Sequence, residues 1–598
     1  MNVVGTWVRL RPRYACRLLA IVAVASGCNS PPAATTARTG GAQPDPTAEL
    51  VESIREDLRK SPDPPTSRRL VEQLNSYLPR ASAERRPAPL SAEERTVLQR
   101  DFALRPEEIT QVARSEFTPV DAYYLDETFL LRDIARSLDV DRLNPVARAE
   151  AALAWVVRNL RGVAASGPAM PVGFVVTRGA GTPLERTYVL LALLSHLGLD
   201  AALIGDANSG PDGVWAVGVL TDGQVYLFDA RLGLPLPGPD SGVLTLAQAR
   251  SLADPFQPLA IDPKLPYDVT ADRAKRAEVL VTVPLSALSS RMRLLQEMIG
   301  TETARLTADP VALADRFRKA AAPVRLWCPP AADAVPRLLF AFVPAADGGG
   351  DNSPPEKLRI RQFLFDLVPF ELLPQYLRIG GEPGDRVRSQ FMNRVAVFSD
   401  PGQAHDLIVR GQFREATDQL VAAQSRAKHR PGNPAELAKY AEEWANAARR
   451  YTAAQSRRER GAGDPAALAQ MDVDKQLADQ LWQSNRGPQA YLEYLVAEPL
   501  AAQATYLLGL CKHEEAERKR DQPDAARPAW ATAQQWWRSF LSGYPSSPWA
   551  PAARRNLASA LERGGQTAAA RGEYTTLADS APTPLEKLAC RYLAEKSK

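Results

Sequence analysis

The sequence predicts a multidomain α+β protein that ends in a mostly helical repeat region. Three observations carry this. A length of 598 residues matches three or four domains. Between 136 and 250 an apolar helix is followed by two alternating runs, Val214 to Val219 and Val225 to Asp229, joined through Asp222-Gly223. That dipeptide favours a tight hairpin because both residues accept positive φ. From about residue 401 the apolar spacing is helical almost throughout. A content of 45% hydrophobic and 24% charged residues suits a folded chain and excludes a wholly disordered one.

Taken in order, residues 1–27 read as an export signal. Arginines precede the apolar run Leu18 to Ala25, which is shorter than the roughly 20 residues needed to span a bilayer. Ser26-Gly27-Cys28 then resembles a bacterial lipobox, with Ala25 where that pattern usually has Leu. The resemblance implies lipidation of Cys28 and a membrane-anchored envelope lipoprotein facing the periplasm or exterior. Ala25-Ser26-Gly27 also fits an ordinary signal cleavage site. Residues 28–46 are rich in Pro, Ala, Thr and Gly and read as a flexible tether.

Residues 47–135 read as helical. Glu49 to Leu58 has helical apolar spacing, and Ser91-Ala-Glu-Glu94 forms a capping box before Val97 and Leu98. Prolines 62, 64, 65, 87 and 89 divide this region into short helices. Residues 136–250 form the α+β domain, entered by a helix from Ala147 to Leu160. Residues 251–400 read as mixed α/β, with strands at Ala277 to Val283 and Leu338 to Val343 and a helix at Ser290 to Met298. Asp347 to Asn352 reads as a loop, since it lacks the GK[ST] ending of a phosphate loop.

The helix over 183–197 has agreeing start and stop signals. Thr182 is placed as N-cap, Pro183 as the first helical residue and Glu185 as the third, closing a capping box. Gly198 follows as the residue that ends it. A thiol in this first turn would have its thiolate favoured by the helix dipole and free N–H groups. The stretch Leu191 to Ala201, Trp215 within Val214 to Val219, and Phe228-Asp229 resemble the transglutaminase-like, papain-related fold. The resemblance implies a cysteine at the helix start, a histidine at the head of the next strand and an aspartate at the end of the one after. Here Pro183 occupies the cysteine position and Val214 the histidine position, while Asp229 is retained. Thr182 is explained by capping, and His196 lies a helix length from the start. Cys328 is distant in sequence. Nucleophilic catalysis needs nucleophile and base about 3 Å apart with a third group orienting them. The domain therefore reads as degenerate and non-catalytic, with Asp229 holding backbone N–H groups of the turn before Arg231. The alternative is a transglutaminase-like hydrolase or acyl transferase with an unrecognised nucleophile.

The formal charge of +4 vanishes once Arg9, Arg11, Arg13 and Arg17 of the signal segment are set aside. A near-neutral remainder lacks the electrostatic footprint of a nucleic-acid binder. Of five cysteines, Cys328, Cys511 and Cys590 lie outside the signal and anchor and read as separately buried thiols, with one bridge among the three as the alternative. The sequence calls for no metal or cofactor: no C-x-x-C occurs, and Asp472-Val-Asp474 and Cys511-Lys-His513 supply too few ligands.

The helical region carries Leu557-Ala558, Leu561, Gly565, Ala570, Tyr574, Leu577 and Pro582. These small and large positions resemble a tetratricopeptide repeat, with Ala558 where Gly is usual. Leu508-Gly509 with Ala533, Trp537 and Phe540 gives a second helix pair, and Gly411 to Ala416 with Leu420 a partial third. Degenerate helices from 433 to 503 are expected to join the stack. Such repeats build concave surfaces that hold peptides or proteins, and Trp536, Trp537 and Tyr574 are the binding candidates. At helical spacing one of the adjacent tryptophans should face the core. The sequence thus reads as a non-catalytic, lipid-anchored scaffold with a protein or peptide partner.

Overall fold

The structure, a computed structural model, describes residues 46–597 except 61–63, 82–85, 165–168, 241, 302–303, 329–399, 429–432, 462–464 and 485–487. The signal segment, Cys28, the tether up to 45, the strand at Leu338 to Val343 and the loop at Asp347 to Asn352 lie outside the described residues.

The first helices are α1 (Pro46–Arg59), α2 (Pro64–Tyr77), α3 (Ala92–Thr96), α4 (Pro106–Ala113) and α5 (Pro119–Ser137). Several begin at proline, where the missing N–H would have had no intrahelical acceptor. Ser91 and Glu94 close the capping box of α3 reciprocally.

Next come α6 (Pro145–Asn159), β1 (Arg161–Gly162), α7 (Val172–Arg178), β2 (Ala180–Gly181), α8 (Pro183–His196) and β3 (Asp200–Gly205). They are followed by β4 (Val214–Thr221), β5 (Gln224–Asp229), β6 (Leu234–Pro235), α9 (Leu246–Ser251) and α10 (Ala271–Lys275). The segment closes with β7 (Glu278–Val281), α11 (Ser290–Ile299), α12 (Pro310–Ala320) and β8 (Val324–Leu326). Six strands form one sheet in the order β6-β5-β4-β3-β7-β8, antiparallel except for the β7–β8 pair. A domain boundary at 250 therefore cuts through a sheet, because β7 pairs with β3. A boundary at 135 divides a core as well. Ile54, Leu58 and Leu74 pack with Phe129 of α5 and with Met292 and Leu295 of α11.

The sheet has a core on each face. On one, α6 and α8 supply Trp155, Val189, Leu190 and Leu193 against Leu203, Val217, Val219 and Phe228. On the other, Ile204, Trp215 and Leu227 meet Phe256, Leu259 and Phe317.

The C-terminal region is helical: α13 (Asp400–Val409), α14 (Phe413–Lys428), α15 (Pro434–Glu459), α16 (Pro465–Gln483) and α17 (Pro488–Glu517). Then follow α18 (Pro523–Gly543), α19 (Ala550–Arg563), α20 (Thr567–Ser580) and α21 (Pro584–Lys596). One continuous core runs from Ala404 of α13 through Leu420, Leu508, Trp537 and Leu557 to Ala594 of α21. The pairs α13–α14, α17–α18 and α19–α20 stack in that order. Helices α15 and α16 depart from the expected single row. They form a hairpin with a separate core of Trp444, Ala448, Ala478 and Trp482, inserted between the first two pairs. No described helix is long and apolar enough to cross a membrane.

Candidate functional site

The start of α8 is built from its sequence. Thr182 Oγ1 accepts from the Glu185 N–H at 3.2 Å, and the Glu185 carboxylate accepts from the Thr182 N–H at 2.7 Å. The second Glu185 oxygen takes the Met170 N–H at 2.8 Å. Pro183 is half-buried at the first helical position, and Gly198 ends the helix at φ 72°. Val214 is buried in the core shared with α8.

Asp229 closes β5 and is fully buried. Its Oδ1 accepts from the Arg231 and Leu232 N–H groups at 2.8 and 3.1 Å. Its Oδ2 accepts from Arg231 Nη2 at 2.8 Å and the Tyr267 hydroxyl at 2.7 Å. Arg231 reaches on to Asp268 at 2.8 and 3.0 Å and donates from Nε to the Trp215 carbonyl at 3.0 Å. Burial opposes the Arg231 charge, but Asp229, Tyr267 and Asp268 outweigh it and hold its pKa well above the ordinary arginine value. Burial, with Asp229 beside it, drives the Tyr267 hydroxyl well above the ordinary tyrosine range. This carboxylate anchors a turn and an ion-pair chain.

Pro183 and Val214 supply neither a thiol nor an imidazole, and Val214 lies in the core shared with α8. Side chains alternate along a strand, so Asp229 shares the parity of Val225 and Leu227. Those two belong to the core on the sheet face away from α8. Beside the start of α8 lies Arg186 instead, 2% exposed, with Nη1 3.2 Å from Glu586 Oε1 of α21. Burial pushes the Arg186 pKa down to about 10 against the opposing pull of Glu586. The same Glu586 oxygen lies 2.3 Å from where a Cβ on Gly162 would stand, so a side chain there would require the Glu586 carboxylate to shift.

The first helix of each stacked pair faces the sheet domain. Just past α13, Arg410 pairs with Asp133 at 2.5 Å. From α17, Glu514 accepts a forked pair from Arg158 at 2.7 and 3.2 Å and the Asn159 amide at 2.8 Å. From α19, Asn556 donates to the Arg158 carbonyl at 3.3 Å and Arg555 to the Gly233 carbonyl at 3.1 Å. From α21, Leu588 and Ala589 enter the core of the sheet domain. The face expected to hold a peptide thus wraps the chain's own α+β domain.

Two of the three aromatic candidates are corrected by burial. Trp537 is 0% exposed and donates to His513 Nδ1 at 3.3 Å, and Tyr574 is 3% exposed with its hydroxyl on Glu562. Both are core groups that offer nothing to a ligand. Trp536 is half-buried against the array core. Cys328, Cys511 and Cys590 form no disulfide, and burial pushes Cys511 and Cys590 up to about 11, which disfavours their thiolates. Asp474 is held by Arg450 at 2.9 Å. Among the described residues no group of three or more His, Cys, Asp or Glu is placed to hold a metal ion.

Sequence reasoning missed Tyr267, Asp268, Arg158, Glu514 and Glu586. The only local signal was Arg231, two residues after Asp229. The others meet partners up to 400 positions away, as Arg186 meets Glu586. Comparison with protein-family models, with curated proteins and with solved structures gave no match.

Proposed function

We propose that this chain is a non-catalytic, lipid-anchored cell-envelope protein acting as a protein- or peptide-binding scaffold. The observation that carries the reading is the engagement of Asp229. Each of its oxygens is taken by backbone or by Arg231 and Tyr267, and Pro183 opens α8 where a transglutaminase-like site would need a thiol. In this reading the α+β unit is a degenerate transglutaminase-like domain. The stacked pairs are tetratricopeptide-like, supported by buried Leu557, Ala558, Leu561, Ala570, Tyr574 and Leu577 at the repeat's positions. No nucleic-acid partner is proposed for a chain whose charge balances outside its first 27 residues.

In-cell cross-linking followed by purification from detergent-solubilised envelopes tests the scaffold reading. It expects a discrete cross-linked partner, weakened by Val421→Arg or Val473→Arg at exposed positions of α14 and α16. Recovery of the chain from the cytosol with nothing cross-linked sinks it. Labelling with a palmitate analogue tests the anchor: wild type should take up label, and Cys28→Ser should lose both the label and membrane sedimentation. Label retained in Cys28→Ser would contradict lipidation at that residue.

A further inference from the structure

We propose that Glu127 is a pH-sensitive clasp on α7: a proton on its carboxyl seats the start of α7 against α5, and loss of that proton loosens it. The proposal stands apart from the scaffold reading above.

Helix α7 does not cap itself. Pro171 precedes it and offers no side-chain acceptor. Its early N–H groups, which lack intrahelical acceptors, are taken by α5 instead. Glu127 Oε2 accepts from the Gly173 N–H at 2.7 Å, and Tyr123 Oη accepts from the Phe174 N–H at 3.0 Å. The Tyr123 hydroxyl in turn donates to Glu127 Oε2 at 3.5 Å. A Cβ on Gly173 would stand 3.1 Å from that hydroxyl and 3.3 Å from Glu127 Cβ and Cγ, so α7 sits directly on the clasp. At its other end α7 stops at Gly179, φ 66°, and His405 of α13 lies 3.3 Å from where a Cβ there would stand. One short helix thus reaches from α5 to the first helix of the array.

The clasp carries a carboxylate that no cation offsets among the described residues. The titratable groups facing it are phenols: Tyr123, and Tyr124, whose hydroxyl donates to the Leu306 carbonyl at 3.1 Å. From α7, Val172, Gly173 and Phe174 bring nothing ionisable. On α8 the Glu185 oxygens are taken by the Thr182 and Met170 N–H groups. From α2, Ser67 engages the adjacent Asp126. Elsewhere on α5, Asp121 is held by Arg291 and Asp133 by Arg132 and Arg410. Arg178 and His405 lie at the far end of α7, and burial keeps His405 toward its neutral form.

Burial pushes the Glu127 carboxyl up to about 7, against the Gly173 N–H and the Tyr123 hydroxyl, which favour the ionised form. The seated arrangement therefore binds the proton more tightly than a solvated carboxyl does. Linkage then favours seating below the ordinary carboxylate range, and the advantage is lost as pH rises through about 7.

Hydrogen exchange of the full chain, read over Met170 to Arg178 and corrected for intrinsic exchange chemistry, tests this. Wild-type protection should fall about tenfold from pH 6 to pH 8, while α19 serves as the unaffected reference. Glu127→Gln, which mimics the protonated group, should stay protected and flat across that range. Should Glu127→Gln not fold, Tyr123→Phe removes a bond that favours ionisation and should move the wild-type transition to higher pH. Flat wild-type protection, a fall shared by α19, a fall that persists in Glu127→Gln, or an unmoved transition in Tyr123→Phe overturns the proposal.

Discussion

At Asp229 one buried carboxylate holds two backbone N–H groups, a guanidinium and a half-buried phenol. Removing one member of a buried charged pair strands the other, at a cost of about 3–5 kcal/mol. Asp229→Ala should cost about 3 kcal/mol in urea unfolding, the lower figure because Asp268 still reaches Arg231. A loss well under 1 kcal/mol would contradict the anchoring role. His196 gives a pH prediction. Burial, with Arg305 and Arg132 nearby, lowers its pKa from 6.5 to about 4. The unfolded chain then binds the proton more readily, so this stabilising contribution is complete above 6.5 and is lost as pH falls through about 4. Wild type should lose more stability than His196→Gln between pH 7 and 4 in urea titrations; parallel curves would contradict it. Legibility at this scale follows distance along the chain. Thr182, Pro183, Glu185 and Gly198 could be placed from sequence because a helix start and stop are local. Tyr267 and Asp268 could not, because a loop carries them back to Asp229.

Elements with strong local signals formed where the pattern put them. Asp222 and Gly223 both take positive φ, 51° and 71°, and turn β4 into β5. Strand β7 formed inside the Ala277 to Val283 run, whereas β8, only three residues long and paired to β7 in parallel, had no pattern of its own. The amphipathic pattern of α15 and α16 does not say which core they serve: they share a small core of their own, and α15 also packs on α17. Gly509 tests the packing of α17 on α18. A Cβ there would stand 2.9 Å from the Trp537 ring, so the small position of the motif is set by close approach. Gly509→Ala should be destabilising by about 1–3 kcal/mol from overpacking, offset in part by about 1 kcal/mol of helix propensity. A raised midpoint in thermal denaturation would show that the contact does not constrain the helices.

The whole molecule is organised by arginines that cross between its α+β and helical parts. Arg158 meets Glu514, Arg186 meets Glu586 and Asp133 meets Arg410, two of these pairs being almost wholly buried. Burial opposes the Arg158 charge, and Glu514 and Glu517 outweigh it, raising its pKa. Composition cannot reveal such partnerships, since charged residues in helices usually read as solvated faces. Glu514→Ala should leave Arg158 with Glu517 alone and cost about 3–5 kcal/mol, splitting the unfolding profile into separate transitions for the two parts. A single transition at the wild-type midpoint would show that the pair does not couple them. On the proposed reading, the region around α8 is structural: its helix start is capped, its acid is an anchor, and its flank is covered by α21. The most direct test of that claim is turnover of a peptide and thioester library by the purified chain, with Asp229→Ala as the control. The account predicts no turnover by either protein; turnover by wild type that disappears in a folded Asp229→Ala variant would contradict it.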